Sequence, residues 1–302
     1  PISDECGLMF PIIPANSVTA DSENDEGIFG FGYPNTAVTN LVSNTGVVAS
    51  DVAGVGTIRS NLAACEYGGD KAIFAFGHGV STYAEVTNLV SNAGVVASDV
   101  AIVSSTGRQT VAACSFGGDK GIFGFGNPIT AVTNLVSNAG VVASDTAGVG
   151  TTRWAPAACE YGDDTAIFGF GTTGSYTGVT NLVSNTGVVA TDVSAVGTAR
   201  AYLAACSFDG DKGIFGFGTT GSYTAVTNLV SNAGVVASDT AGVGTARQLA
   251  ATQYGGDKAI FGFGHTGSAV SITNLVSNVG VVASDVAGVG TDRYGLAACS
   301  FN

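Results

Sequence analysis

Residues 203–238 read LAACSFDGDKGIFGFGTTGSYTAVTNLVSNAGVVAS, and this stretch decides the fold. Leu203 to Phe208 reads as a first strand and Gly213 to Phe217 as a second, joined by the Asp-Gly-Asp-Lys turn. Val226 to Ser231 reads as a third strand, and the Ser-Asn-Ala-Gly turn at 231–234 returns the chain through Val235 to Ser238 as a fourth. Four short antiparallel strands per unit make a propeller blade. Period-two alternation predicts Phe215 and Phe217 on one face of the second strand, with Gly216 leaving room for close approach on the other.

The unit recurs. Thr-Asn-Leu-Val-Ser-Asn begins at Thr39, Thr87, Thr133, Thr180, Thr227 and Thr273, at spacings of 48, 46, 47, 47 and 46 residues. Ile-Phe-x-Phe-Gly begins at Ile28, Ile73, Ile122, Ile167, Ile214 and Ile260, and each copy is followed by a strand carrying Ala-Ala-Cys or Ala-Ala-Thr. Six copies predict an all-β, six-bladed β-propeller over residues 21–302, preceded by a non-repeat tail at 1–20. The first unit lacks a first strand before Ile28, while Leu296 to Phe301 is a spare one, so the ends are expected to share a blade. A pairing rule supports this. First strands ending in Ser-Phe precede Gly (Phe116 with Gly121, Phe208 with Gly213), and those ending in Tyr precede Ala (Tyr67 with Ala72, Tyr161 with Ala166, Tyr254 with Ala259). Ser300 and Phe301 then belong with Gly27, and strict alternation closes only over an even number of blades. Such closure also removes two sheet edges.

Composition narrows the function. The 302-residue chain has 45 glycines, 11% charged residues and a net charge of −13. Its ten basic residues all occupy repeat positions, six as Arg and four as Lys, so no cationic surface remains for nucleic acid. Apolar runs are short and interrupted, giving no membrane span and no signal-peptide core. The first residue is Pro1 and not Met, as expected of a processed or partial chain.

Catalytic and metal chemistry find little purchase, and neither catalytic residues nor a cofactor are expected. His78 and His265 hold the same repeat position two blades apart, too far to share a metal. Each repeat carries an Asp after the fourth strand and an Arg eight or nine residues later, as in Asp145 and Arg153; sixfold copies read as clips between loops or blades. Asp70, Asp119, Asp164, Asp211 and Asp257 sit in tight turns. Cys65, Cys114, Cys159, Cys206 and Cys299 take matching positions, with Thr252 as the sixth. Neighbouring blades should hold them beyond the ~7 Å Cα limit of a disulfide, so they read as buried thiols. The acidic run Asp21 to Glu26 lacks an EF-hand pattern and reads as a solvated lead-in.

In a four-stranded blade the turns after strands one and three emerge on one face, and the connections after strands two and four on the other. The first pair barely changes among copies; the second changes in length and type. Tyr33, Pro34, His78, Tyr83, Asn127, Pro128, Tyr176, Tyr223 and His265 follow strand two, and Trp154, Tyr202 and Tyr294 lie near the entry to the next blade. That variable, aromatic face is the expected contact surface for protein or glycan. In the tail, Cys6 could pair with another chain, and Leu8, Met9 and Phe10 are expected to dock on a neighbouring subunit or the propeller wall.

Residues 245–264, Thr-Ala-Arg-Gln-Leu-Ala-Ala-Thr-Gln-Tyr-Gly-Gly-Asp-Lys-Ala-Ile-Phe-Gly-Phe-Gly, resemble the opening of a kelch repeat, where an Arg, small residues, a Gly turn and an aromatic-Gly strand follow in this order. The resemblance spans about residues 27–302, with the late kelch Trp replaced by Val-Val, and it implies a propeller without implying one function. The copper site of some kelch propellers would need histidines this chain lacks. The unit Gly-Asp-Lys-x-Ile-Phe-Gly-Phe-Gly, followed by Thr-Asn-Leu-Val-Ser-Asn-x-Gly-Val-Val, is similar to tandem repeats in virion proteins of aquatic tailed phages, notably cyanophages. This implies a non-enzymatic structural or adhesion component of a virion, contacting other subunits or host-surface glycan. A subunit of an extracellular microbial fibre and a glycan-active or oxidising propeller enzyme are the alternatives.

Overall fold

The computed structural model describes residues 25–102, 106–194 and 196–301. The tail residues Cys6, Leu8, Met9 and Phe10 lie outside them. The described residues are all β, without a helix, and form six small antiparallel sheets. The first sheet joins Glu26–Gly32 and Thr36–Val42 to Ala297–Phe301. The second holds Ala63–Tyr67, Lys71–Ala75, Val86–Val90 and Val100–Ala101. The third, fourth and fifth begin at Ala112–Phe116, Ala157–Tyr161 and Ala204–Phe208, and the sixth runs from Gln248–Tyr254 through Lys258–His265 to Ala269–Val276. The chain ends pair in the first sheet, Gly27 opposite Ser300 and Glu26 opposite Phe301, the partners that the Phe/Gly rule requires.

The core lies between sheets. Six buried clusters each draw on two neighbouring sheets, and the cluster around Phe29, Val42, Tyr254, Ile260 and Phe263 joins the sixth sheet to the first. Every second-strand Ile and Phe is fully buried. The rings form inter-sheet pairs at 5.1–5.4 Å: Phe31 with Phe74, Phe76 with Phe123, Phe125 with Phe168, Phe170 with Phe215, Phe217 with Phe261, and Phe263 with Phe29. The two phenylalanines of one strand therefore face opposite neighbours, which corrects the expectation from alternation. The second Phe of each pair has a positive φ, 62° at Phe217, and this turns its side chain across the sheet. The close approach at the intervening glycine does occur: a Cβ on Gly216 would lie 2.6 Å from the Phe261 ring.

The fourth strand also departs from expectation. Among the described residues only the second sheet carries one, two residues long; elsewhere the returning segment touches the third strand through isolated bridges such as Val230 to Val236 and Thr227 to Thr240. A side chain completes the attachment: Asn228 Nδ2 donates to the Ala237 carbonyl at 3.0 Å and to Asp239 Oδ1 at 2.9 Å. The Val-Val-Ala-Ser segment is thus pinned by an amide where a continuous ladder was expected.

Packing explains the Gly/Ala rule. Cβ atoms on Gly121 and Gly213 would lie 2.5 Å from the sulfurs of Cys65 and Cys159, and one on Gly27 would lie 2.8 Å from the Thr252 methyl, each belonging to the preceding Tyr-type strand. Ala72, Ala166 and Ala259 cluster instead with Cys299, Cys114 and Cys206 of the preceding Phe-type strands. The rule is one of complementarity between neighbouring sheets, and it appears within each sheet because the two types alternate.

The repeated charges clip neighbouring sheets, but the pairs cross repeats. Arg108 faces Asp145 at 3.7 Å, Arg247 faces Asp285 at 3.8 Å and Arg293 faces Asp51 at 3.9 Å. All six repeat arginines, Arg59, Arg108, Arg153, Arg200, Arg247 and Arg293, are buried, each with its guanidinium over the second Phe of the preceding sheet at 3.9–4.9 Å.

Candidate recognition face

Two faces can be told apart by their hydrogen bonds. On one, the turn after strand one is tied to the turn after strand three of its own sheet, as Asn138 to Asp119 at 3.1 Å and Asn232 to Asp211 at 2.9 Å. Neighbouring turns are also linked, Gly68 N to the Asp119 carbonyl, Gly117 N to that of Asp164 and Gly162 N to that of Asp211, each at 2.7 Å. This face is therefore held by the same bonds in successive sheets, which accounts for its uniform sequence.

On the other face, the residue that follows each buried Arg bridges the residue two positions beyond the second Phe of strand two. The pairs are Tyr294 with Tyr33, Ser60 with His78, Gln109 with Asn127, Trp154 with Thr172, Ala201 with Thr219 and Gln248 with His265. The backbone is equivalent six times over while the side chains differ six times over. Gln109, Gln248 and Thr172 belong to this set and were not among the expected site residues; their position directly after Arg, or in register with Trp154, was the signal available in the sequence. Asn61 was also missed, and its Nδ2 donates to Gln109 Oε1 at 3.2 Å.

The expected residues fall into three groups. Tyr33, Tyr294, His265 and Tyr223 form a contiguous run, with ring centroids 5.1, 4.6 and 5.8 Å apart in that order, and the Tyr223 hydroxyl lies 2.5 Å from His265 Nδ1. His78 packs edge-on against Tyr83, whose hydroxyl donates to Asn127 Oδ1 at 3.2 Å. Trp154 and Tyr202 meet edge to face at 5.5 Å, and Tyr176 is exposed beside them in the same region. Pro34 and Pro128 are exposed at the loop tips. The two histidines sit in separate groups, and among the described residues no cluster of three metal-ligating side chains occurs.

Residues of one first strand from each of the six sheets line a small cavity of about 50 Å³, an Ala, a Cys or Thr and a polar residue from each. This is well below the several hundred Å³ typical of a small-molecule pocket. The five described cysteines are free thiols buried in its wall, and burial pushes their pKa well up. Around the cavity the polar position alternates Glu66, Ser115, Glu160, Ser207, Gln253, Ser300. Ser115 donates to Glu160 Oε2 at 2.7 Å and Ser300 bonds Glu66.

Burial, opposed by the Ser115 hydrogen bond and aided by Asp164 and Asp163, raises the Glu160 pKa from 4.5 to about 7. A carboxyl whose folded pKa exceeds its unfolded one supports the fold fully below pH 4.5 and loses that contribution as pH rises to about 7. Urea unfolding of the native chain should therefore show a decline of about 3 kcal/mol across that window. Glu160→Gln should flatten the profile; an unchanged slope in the variant would reject Glu160 as its source.

No protein family matches the chain, and no characterised protein is detectably similar to it. No described helix is long and apolar enough to cross a membrane.

Proposed function

We propose that the chain is a closed six-bladed, kelch-like propeller and that it serves as a non-enzymatic structural or adhesion subunit of a virion or its appendage, contacting other subunits or host-surface glycan through its variable face. The paired chain ends and the six inter-sheet clusters support the ring. The observation that carries the function is the division between faces. One keeps the same turns and bonds, while the other places different, largely aromatic and polar side chains on one repeated backbone position. A rigid frame presenting varied side chains is the arrangement of a recognition surface. The virion assignment rests on the resemblance of the repeat, and the enzyme alternative on nothing beyond the fold, because the repeated acids are engaged in turns and inter-sheet clips.

A fibre subunit is the second reading, and one observation favours it. Val47, Val95, Val141, Val188, Val235 and Val281, in the turns of the uniform face, are each 62–65% exposed. Six equivalent apolar knobs suit stacking of one copy on another.

Blocking each face in turn tests the primary reading on an array of defined oligosaccharides. In a Cys6→Ser background, a bulky maleimide label on Ser222→Cys, exposed next to Tyr223 at the variable face, should abolish binding, and the same label on Thr45→Cys, in an opposite turn, should leave it intact. Binding that survives the first label or is lost with the second contradicts the assignment of faces.

A further inference from the structure

Of the three aromatic groups on the variable face, only Tyr33–Tyr294–His265–Tyr223 forms an uninterrupted run of four rings, and it spans three sheets. Backbone pairing fixes it. Tyr33 N donates to the Tyr294 carbonyl at 2.6 Å and Tyr294 N to the Tyr33 carbonyl at 3.2 Å, so the two phenols are held side by side. His265 ends the second strand of the sixth sheet and is paired on both sides, with Gln248 and Ala269. Tyr223 is bridged to Thr219 and hydrogen-bonded to His265. Little ordering entropy is left to lose when a ligand lands on such a strip. Tyr33 is 49% exposed, too open for a ring that serves only to pack.

The charges around this strip restrict its ligand. All six arginines are buried between sheets, and all four lysines open second strands at the turns of the opposite face, each beside an Asp. These are the chain's ten Lys and Arg residues, so the strip has no Lys or Arg with which to hold a carboxylate, sulfate or phosphate. Arg293, next to Tyr294 in the chain, is buried with its guanidinium over Phe263, and the nearest carboxylate along the chain is Asp292, which accepts from Ser271 Oγ at 2.6 Å. The net charge of −13 adds a general repulsion of anions. What remains are rings with centroids 4.6–5.8 Å apart, on the scale of one pyranose, that carry phenol hydroxyls and an imidazole as their hydrogen-bonding groups.

We infer that the Tyr33–Tyr294–His265–Tyr223 strip is a subsite for a neutral oligosaccharide. The C–H faces of successive sugars stack on the rings and their hydroxyls bond to the ring edges, while sialylated, sulfated and uronic-acid glycans are rejected. The inference rests on the recognition reading above and sharpens it to one sector and one ligand class.

The test uses the full chain on an array pairing neutral gluco-, galacto- and manno-oligosaccharides with their sialylated, sulfated and uronic-acid counterparts. Binding is expected to neutral probes only, with little change between low and high salt. It should fall about tenfold or more for Tyr33→Ala and for Tyr294→Ala, the order of one lost ring contact. Tyr33→Phe should keep most of it, and Val80→Ala, exposed in the loop after His78 on the same face but outside the strip, should keep all of it. Urea midpoints verify that each variant is folded. Preference for the anionic partners, or neutral binding that survives both alanine variants, overturns the subsite while leaving the recognition face standing. Silence across every probe overturns both.

Discussion

Arg200→Met is expected to lower the unfolding free energy by about 3–5 kcal/mol, a large share of what a domain commonly has. The Arg200 side chain is fully buried between the fourth and fifth sheets. Its Nε donates to the Phe217 carbonyl at 2.9 Å, one terminal nitrogen to the Thr198 carbonyl at 3.1 Å and the other to Asn228 Oδ1 at 2.7 Å. The guanidinium plane lies over the Phe170 ring at 4.2 Å. Burial lowers its pKa to about 10, with Asp239 opposing the shift, so it stays charged at neutral pH. For Asp239, burial works against ionisation, but bonds from the Thr198 hydroxyl, Asn228 and Thr198 N, with the Arg200 charge, outweigh it and hold the carboxyl below its usual range.

Methionine fills part of the volume but leaves the Phe217 carbonyl and the Asn228 amide oxygen without donors in the buried interface, and the part-buried Thr198 carbonyl without its arginine, and each buried loss is costly. Lysine should do little better, because one ammonium cannot reproduce a planar fork stacked on a ring. Guanidinium-chloride unfolding followed by tryptophan fluorescence measures the effect; a midpoint within error of the native chain would show that the arginine clip contributes nothing.

How far the sequence predicted this arrangement varied from element to element. The second strands and the Ser-Asn-x-Gly turns were readable because their residues satisfy local needs, such as positive φ at Gly234 and a Ser231 hydroxyl receiving the Val235 N–H. The orientation of Phe217 was not, since counting by twos assumes an extended backbone and a single positive φ breaks it. The fourth strand looked complete as a run of Val-Val-Ala-Ser, but it is held by scattered backbone bonds, such as Ala237 N to the Leu229 carbonyl at 2.8 Å, and by Asn228, a residue of another strand whose role no local pattern discloses. The Asp–Arg clip was visible as a sixfold spacing, yet its partners lie one repeat apart, as Arg108 and Asp145 do, because the contact is made between sheets.

The candidate site divides similarly. That one face would carry the individuality followed from comparing copies of the repeat. That Tyr33 and Tyr294 touch follows only once the chain ends are placed in one sheet, and Gln109 and Gln248 escaped notice because a search for aromatics passes over amides at the same register.

Loss of the closing strand should have the largest effect. Residues 296–301 place Leu296, Ala297, Cys299 and Phe301 in the interior, and Ala297–Phe301 pairs with Glu26–Gly30 along most of the Glu26–Gly32 strand. Burying side chains of the size of Leu and Phe is worth about 1.5–3 kcal/mol each, before the backbone bonds are counted. Without this strand, Ile28 and Phe29 face water on an unpaired edge, and both the sixth-to-first and first-to-second clusters open. The loss approaches the whole stability of a typical domain, so the remaining sheets should not hold as one cooperative unit.

Equilibrium unfolding of a chain truncated after Gly295, beside the intact chain, therefore tests the closed ring most directly. The ring predicts that the intact chain unfolds in a single transition and that the truncated one has no cooperative transition at the same temperature. A truncated chain that unfolds with the native midpoint and slope would mean that the C-terminal strand closes nothing.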